Sequence, residues 1–194
     1  EGYGAAKAGM VNLTQNLAVK YGLTLTATNY LASDGAVIWN ATTNAGYNND
    51  IAGIGRDDAS GLGQKQSKSV NSDAIVTIGL GTIAASNAAN PNSFGTDKSF
   101  LLWGNNNGST TFATVYTPHS FNPPTNVLRM ARTWRVQKTG TVGAVQMQGP
   151  ESASYLLVDN DGNFSDGNST EVALTLGSAS VNFTNGQYFT FVRE

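Results

Sequence analysis

The chain has 194 residues, of which 40% are hydrophobic and only 12% are charged, with one histidine and no cysteine. Without cysteine no disulfide can form, and a single histidine cannot build a two-histidine zinc site within one chain. The formal net charge of −2 provides no basic surface for phosphates, so nucleic-acid binding is not expected.

The polar composition indicates where the protein is located relative to the cell. A typical soluble domain is about 25% charged, whereas this chain relies on glycine, asparagine and threonine. Such a composition is common outside the cell, and we expect an extracellular or bacterial cell-surface protein. No run of 18 apolar residues is present, so no membrane span is expected. The length predicts one β-sandwich domain, residues 28–194, after an N-terminal segment, residues 1–27.

Residues 5–21 carry the one convincing helical pattern. Apolar residues recur there at helical spacing, and Gly22 follows as a helix stop. The members of this pattern are Ala6, Met10, Leu13, Leu17 and Tyr21. One interpretation is an amphipathic helix packed on a sheet. The other is an arm that extends and docks on another subunit through Met10, Leu13, Leu17 and Tyr21.

After Gly22 the chain alternates short apolar runs with Gly and Asn, which predicts an all-β fold, an antiparallel sandwich of about ten strands. Asp34-Gly35 between residues 30–33 and 36–39 predicts a hairpin with a type I′ turn. Further strands are expected at 74–80, 99–103, 111–117, 128–138 (one long strand), 141–148, 154–158 and 171–176, and a closing hairpin at 181–183 and 188–191.

Residues 79–84 match the dinucleotide pattern G-x-G-x-x-A. That pattern binds pyrophosphate only where a helix begins at the loop. Here Pro91 follows too soon and no second βαβ unit is visible. We therefore expect the glycines to form a turn.

Residues 159–166 suggest calcium. Asp159, Asp161 and Asn163 place oxygen atoms at alternate positions of a Gly-containing loop, with Asp166 as a further ligand. A hard cation takes six to eight such oxygens. Position twelve is Thr170 rather than Glu, so the loop is not an EF-hand. The alternative is a β-turn that binds no metal.

No segment nominates an enzyme. Asp57 and Asp58 are adjacent, and neighbouring residues of a strand point to opposite faces. They do not suit one substrate, and a buried Arg–Asp pair with Arg56 is expected instead. His119 is expected at the surface of a loop. The tryptophans Trp39, Trp103 and Trp134 could stack on sugars, but most are expected in the core.

Several stretches resemble a module of very large bacterial cell-surface and adhesin-like proteins, where it often follows a laminin-G or concanavalin-like domain. The matching stretches are residues 17–25, 29–39, 47–58, 64–67, 102–104, 131–134 and 156–159. The resemblance implies secretion, a β-rich fold and a role in surface architecture. No laminin-G-like domain precedes the stretches in this sequence, so we expect the chain to assemble through its own ends.

These observations lead to one main hypothesis and two alternatives. The main hypothesis is a subunit of a bacterial surface filament, a head-to-tail homopolymer in which residues 1–27 complete the next subunit by strand addition. One alternative is a stalk or adhesin module that contacts neighbouring modules. The other is a calcium-dependent, lectin-like module that binds a glycan through the Asp159 loop and an exposed Trp or Tyr.

Overall fold

The computed structural model describes residues 2–118 and 127–194, and within them one α-helix and fifteen strands. The predicted all-β antiparallel sandwich is confirmed, with the N-terminal segment as a helix rather than an extended arm and with fifteen strands where about ten were expected. The elements are α1 (Gly2–Tyr21), β1 (Tyr30–Leu31), β2 (Val37–Trp39), β3 (Asn49–Asp57), a 3₁₀ turn (Asp58–Ser60), β4 (Leu62–Gln64), β5 (Gln66–Lys68), β6 (Thr77–Leu80), β7 (Ser99–Asn105), β8 (Phe112–Tyr116), β9 (Val127–Met130), β10 (Trp134–Thr139), β11 (Val145–Gln148), β12 (Tyr155–Asp159), β13 (Thr170–Ala173), β14 (Ser178–Val181) and β15 (Tyr188–Arg193).

The strands form three antiparallel sheets. The largest has nine strands in the order β13-β12-β15-β10-β7-β3-β4, and β9 pairs with both β15 and β8 beside this path. The second has four strands in the order β14-β11-β6-β5, and the third is the β1–β2 hairpin. All strand pairings in the described residues are antiparallel.

The main core lies between the nine-stranded and four-stranded sheets. Leu101, Trp103 and Trp134 of the large sheet belong to the same buried cluster as Ile78 and Met147 of the small one. The indole of Trp134 stacks on Phe189 at 5.3 Å between ring centroids and meets Phe191 edge to face. Large aromatic side chains therefore fill the space between the layers.

The large sheet is also covered on its other face, which makes a third layer. Strand β7 is buried along its whole length. Its Leu101 and Trp103 join the main core, whereas Phe100 and Leu102 join a second cluster. Alternate residues of a strand point to opposite faces. The second cluster therefore lies outside the sandwich, where helix α1 and the β1–β2 hairpin cover the sheet.

The predicted closing hairpin is wrong. Strand β14 pairs with β11 in the four-stranded sheet, whereas β15 pairs with β12, β10 and β9 in the nine-stranded sheet. The segment between them, with Gly186 at φ +85°, crosses from one layer to the other. Asn-Gly favours a tight turn whether or not the flanking strands pair with each other, and here both strands cover the same core from opposite sides.

The single long strand predicted at 128–138 is divided in two. Strand β9 ends at Met130 and β10 begins at Trp134. Between them the amide of Arg132 donates to Ser109 O, and the amide of Thr133 donates to Asn106 Oδ1. These loop contacts replace strand pairing, so the apolar alternation runs across a break.

The β1–β2 hairpin is confirmed, but its turn is not type I′. Of its two central residues only Gly35 has a positive φ, +86°. The amide of Gly35 donates to Ala32 O, and the amide of Ala32 donates to Ala36 O. This is a tight turn followed by a glycine bulge, a common three-residue hairpin loop.

Candidate assembly surface on helix α1

Helix α1 ends in a well-defined C-cap. The amide of Leu23 donates to Ala18 O and the amide of Gly22 to Val19 O, which is the Schellman pattern. Gly22 has φ +61°, and a Cβ added there would lie 2.3 Å from Lys68 O. Only glycine meets both conditions. The end of the helix is therefore held against the strand β5 segment.

The inner face of the helix packs on the domain. Ala18 and Val19 are 1% and 2% exposed and belong to the second core cluster. The buried Gln15 side chain donates to Asn29 O at 3.2 Å and accepts from the Leu31 amide at 2.9 Å. The C-terminal half of the helix is thus joined to the hairpin by side-chain packing and by hydrogen bonds.

The segment after the helix is also fixed. The buried hydroxyl of Tyr30 donates to Leu23 O at 2.7 Å and accepts from the Leu25 amide at 2.8 Å. Burial raises the pKa of Tyr30 to about 12, and the Leu25 hydrogen bond opposes this in part. Ser69 Oγ and the Val70 amide both donate to Gly22 O. The path out of the helix is therefore determined by contacts with the body.

The predicted assembly residues form the outer face of the helix. Met10, Leu13, Leu17 and Tyr21 are 63%, 60%, 38% and 53% exposed. At about 100° per residue they fall within about 80° of one another around the helix axis, and the inner residues centre roughly 150° away. We call these four residues the outer stripe. The helix does pack on the sheet, as the first interpretation has it, but Ala18 and Val19 make that contact and the outer stripe does not.

The outer stripe concentrates the exposed apolar side chains of the molecule. Among the described residues nine large hydrophobic side chains are exposed, and five of them are the outer stripe and Leu23, which follows the helix. Single exposed apolar residues are ordinary, whereas a contiguous group marks an interaction site. A helix that is apolar on both faces is typical of a buried helix. The outer stripe therefore has the character of a contact surface.

A cleft borders the stripe on one side. It has a volume of about 420 Å³ and lies between the helix and the following loop, lined by Met10, Thr14, Gln15, Thr24, Leu25, Thr26 and Thr28. The threonine hydroxyls give it polar edges, and Thr24 Oγ accepts from the Ile51 amide. The surface around the stripe is thus uneven and able to receive side chains of another molecule.

The loop proposed for calcium is held by its own hydrogen bonds. Asp159 is 1% exposed, and its carboxylate accepts from Ser169 Oγ and from the amides of Asp161 and Gly162. Burial raises the pKa of Asp159, but these hydrogen bonds outweigh burial, so the pKa lies below its ordinary value. Asp161 and Asn163 are exposed and accept from backbone amides within the loop.

Asp166 is exposed as well and accepts from the amide and the side chain of Asn168. In the described parts of the chain no group of three or more His, Cys, Asp or Glu side chains is placed to hold a metal ion. Calcium binding stays a prediction.

The Arg56-Asp57-Asp58 segment differs from expectation. Arg56 pairs with Asp58 at 2.7 Å, but at the surface. Asp57 is fully buried and pairs with Lys98. The two carboxylates do point apart, as predicted. A buried Arg–Asp pair exists elsewhere, between Arg132 and Asp50 at 3.4 Å, which the sequence did not indicate because 82 positions separate them.

The aromatic and glycine motifs have structural positions. Trp39, Trp103 and Trp134 are at most 2% exposed, so none offers a ring for stacking on a sugar. Gly81 has φ +64°, and no helix follows it before β7 in this fully described segment, so the 79–84 glycine motif forms a turn as expected. His119 lies outside the described residues.

None of the helices in residues 2–118 and 127–194 is both long and apolar enough to cross a bilayer. Residues 15–187 match a family model that is described as a domain of unknown function, DUF8202. No curated protein and no solved structure matches the chain. The match covers the inner face of helix α1 and nearly the whole sandwich.

Proposed function

This chain belongs to the DUF8202 family, whose description assigns no activity, and from the geometry of helix α1 we propose a structural subunit that self-associates at the bacterial cell surface. The outer stripe is the assembly surface. The observation that carries the proposal is the exposure of Met10, Leu13, Leu17 and Tyr21 on a helix whose inner face is already packed.

Energetics support contact through this stripe. Burial of a Leu or Met side chain contributes about 1.5–3 kcal/mol relative to full exposure. The stripe side chains retain roughly half of their surface in water. A partner that covers them therefore gains part of this burial free energy from each of the four side chains. The inner face of the helix gains nothing further, because it is already buried.

The helical state of the segment favours side-chain docking over strand addition. To become a donor strand, residues 10–22 would have to leave the body. That would uncover the second core cluster, which includes Tyr30, Trp39 and Ile51, and break the two Gln15 hydrogen bonds. Docking through the outer stripe requires neither loss, so we propose that the helix stays folded when the subunits associate.

The composition supports a surface location for this subunit. Only 12% of the residues are charged, and contacts made by apolar, amide and hydroxyl groups persist in salt, whereas exposed ion pairs are screened. The proposed location is extracellular, and the proposed role is architectural rather than enzymatic. Electron microscopy of the purified chain would show whether the subunits grow into a filament.

The test is sedimentation of the wild type and of two matched double variants over a range of concentrations. Leu13→Ser with Leu17→Ser removes the centre of the stripe. Val115→Ser with Leu176→Ser removes two other exposed apolar side chains, which are 72% and 75% exposed. We expect the wild type and the second variant to associate and the first to stay monomeric. A wild type that is monomeric at the highest concentration contradicts the proposal.

A further inference from the structure

We infer that two copies of this chain pair outer stripe to outer stripe as a closed two-fold dimer. This inference rests on the proposed function and specifies the symmetry of the self-association. In a two-fold contact the same surface of both copies is buried, whereas a head-to-tail contact joins two different surfaces and propagates. The distribution of exposed apolar side chains decides between them.

A head-to-tail contact requires a second apolar surface that fits the stripe. Outside the stripe and Leu23, the exposed large hydrophobic residues of the described chain are Val37, Val70, Val115 and Leu176. Val37 lies in β2, Val115 in β8, and Leu176 between β13 and β14. Val70 lies beside the helix end, since its amide donates to Gly22 O. These residues do not form a second group on one element, so the stripe of another copy is the matching surface.

The exposed area agrees with a small interface between copies. Even at about 200 Å² per residue, which is the area of an aromatic side chain, the exposed fractions of the stripe and Leu23 correspond to at most roughly 500 Å². Two such surfaces, when fully covered, bury roughly 1,000 Å², which is the minimum for a biological interface and lies below the roughly 1,200–2,000 Å² of stable complexes, so a weak dimer is expected. One stripe alone is as large as the largest apolar patch on a typical monomer, about 300–600 Å², and such patches are often functional.

The spacing of the stripe suits a second helix. Residues 10, 13 and 17 follow the three–four spacing by which helices pack side by side. In the sequence Tyr3 and Ala6 continue the same spacing towards the N-terminus. An identical helix from a second copy presents the complementary ridges and grooves, so pairing of two α1 helices needs no further partner.

A lipid surface fits the helix less well. Helices that lie in a membrane interface carry many Lys and Arg residues on the face opposite the apolar one. Helix α1 contains two lysines, Lys7 and Lys20, and no arginine. On the face opposite the stripe, Ala18 and Val19 are covered by the second core cluster rather than by water or headgroups. The surface is therefore better suited to a second copy than to a bilayer.

The absence of cysteine makes the test direct, because a single introduced cysteine reports only its own neighbours. We expect Leu13→Cys or Leu17→Cys to give a disulfide-linked dimer under mild oxidation, since residues near a two-fold axis meet their own copies. Val115→Cys, at a more exposed position in β8 outside the stripe, is the control and stays monomeric. Sedimentation of the wild type is expected to reach a plateau at twice the 20.3 kDa of one chain.

Each other outcome overturns the inference in a distinct way. A mass that keeps rising with concentration, or fibres by electron microscopy, leaves self-association in place and contradicts closure. Cross-linking through Val115→Cys alone contradicts the stripe as the contact. A wild type that stays monomeric contradicts both the dimer and the proposed function. Binding to anionic phospholipid vesicles without dimer formation assigns the stripe to lipid instead.

Discussion

At the scale of single residues, Asp57 is a fully buried carboxylate with several hydrogen-bond partners. Its carboxylate lies at the end of β3 and accepts from the amide and the hydroxyl of Ser33 in the β1–β2 turn at 2.8 and 2.7 Å. It also pairs with Lys98, in the loop before β7. One buried carboxylate thus joins three parts of the chain that surround the second core cluster.

This arrangement predicts a pH dependence of stability. Burial raises the pKa of Asp57, but the Lys98 and Ser33 hydrogen bonds outweigh it, so the folded pKa is below the ordinary value. The unfolded state then takes up the proton first, at about pH 3.9. The stabilisation is fully present above that pH and is lost as the pH falls through the folded pKa. Urea unfolding between pH 7 and pH 2.5 measures this loss.

The Asp57→Asn variant gives the matched comparison. It removes the charge but preserves the size, and it weakens the hydrogen bonds that the carboxylate accepts from Lys98 and Ser33, which costs about 1.5–3 kcal/mol at neutral pH. Its stability should fall less steeply in acid than that of the wild type. Asp58→Asn alters the neighbouring carboxylate, which pairs with Arg56 at the surface, and should change stability little. Equal losses for the two variants would contradict the assigned role of Asp57.

At the scale of elements, the end of helix α1 depends on Gly22. Gly22→Ala places a side chain in a left-handed conformation and drives its Cβ against Lys68 O at 2.3 Å. Gly61 has a similar backbone, φ +69°, but open space around it. Gly61→Ala should therefore cost only the conformational term, about 1–2 kcal/mol, whereas Gly22→Ala should cost clearly more. Denaturant midpoints of the two variants measure the difference, and equal midpoints would show that the close approach to β5 is not maintained.

At the scale of the whole molecule, helix α1 shares the second core cluster with the sandwich, so we expect the segment 1–27 to unfold together with residues 28–194. Deletion of residues 1–22 removes Ala18 and Val19 from the second core cluster and both Gln15 hydrogen bonds. We expect the free energy of unfolding to fall by about 3 kcal/mol or more. Urea unfolding and dye binding to the uncovered apolar surface measure this change.

The control for that deletion is the Leu13→Ser with Leu17→Ser variant. It changes the outer stripe and leaves the inner face intact, so at a concentration where the wild type is monomeric it should lose much less stability than the truncated chain. If the truncated chain were as stable as the wild type, the helix would not contribute to a shared core. The N-terminal segment would then be an arm that can detach from the domain. Point substitutions on the stripe are thus the cleaner means of testing assembly.

The sequence by itself determined the class of the fold, because alternation of apolar and polar residues has a period that only strands satisfy. It also determined the helix and its stop, because spacing and Gly22 act locally. It missed β3, whose glycines Gly53 and Gly55 leave no room for a Cβ beside Leu102 and Phe100 and weaken the strand pattern. The need for glycine at these two positions is visible only from their close approach to β7.

Only the tertiary structure decided which face of the helix is buried. The sequence placed Met10, Leu13, Leu17 and Tyr21 on one face, and the usual expectation puts the larger side chains inside. The small residues Ala18 and Val19 pack inward instead, because Tyr30 and Trp39 of the hairpin and Phe100 of β7 already fill the space above the large sheet. Which face is buried depends on the space that distant segments leave, and the local spacing of apolar residues does not encode that space. For this reason a stripe that looks like a core face in the sequence is an exposed candidate assembly surface in the structure.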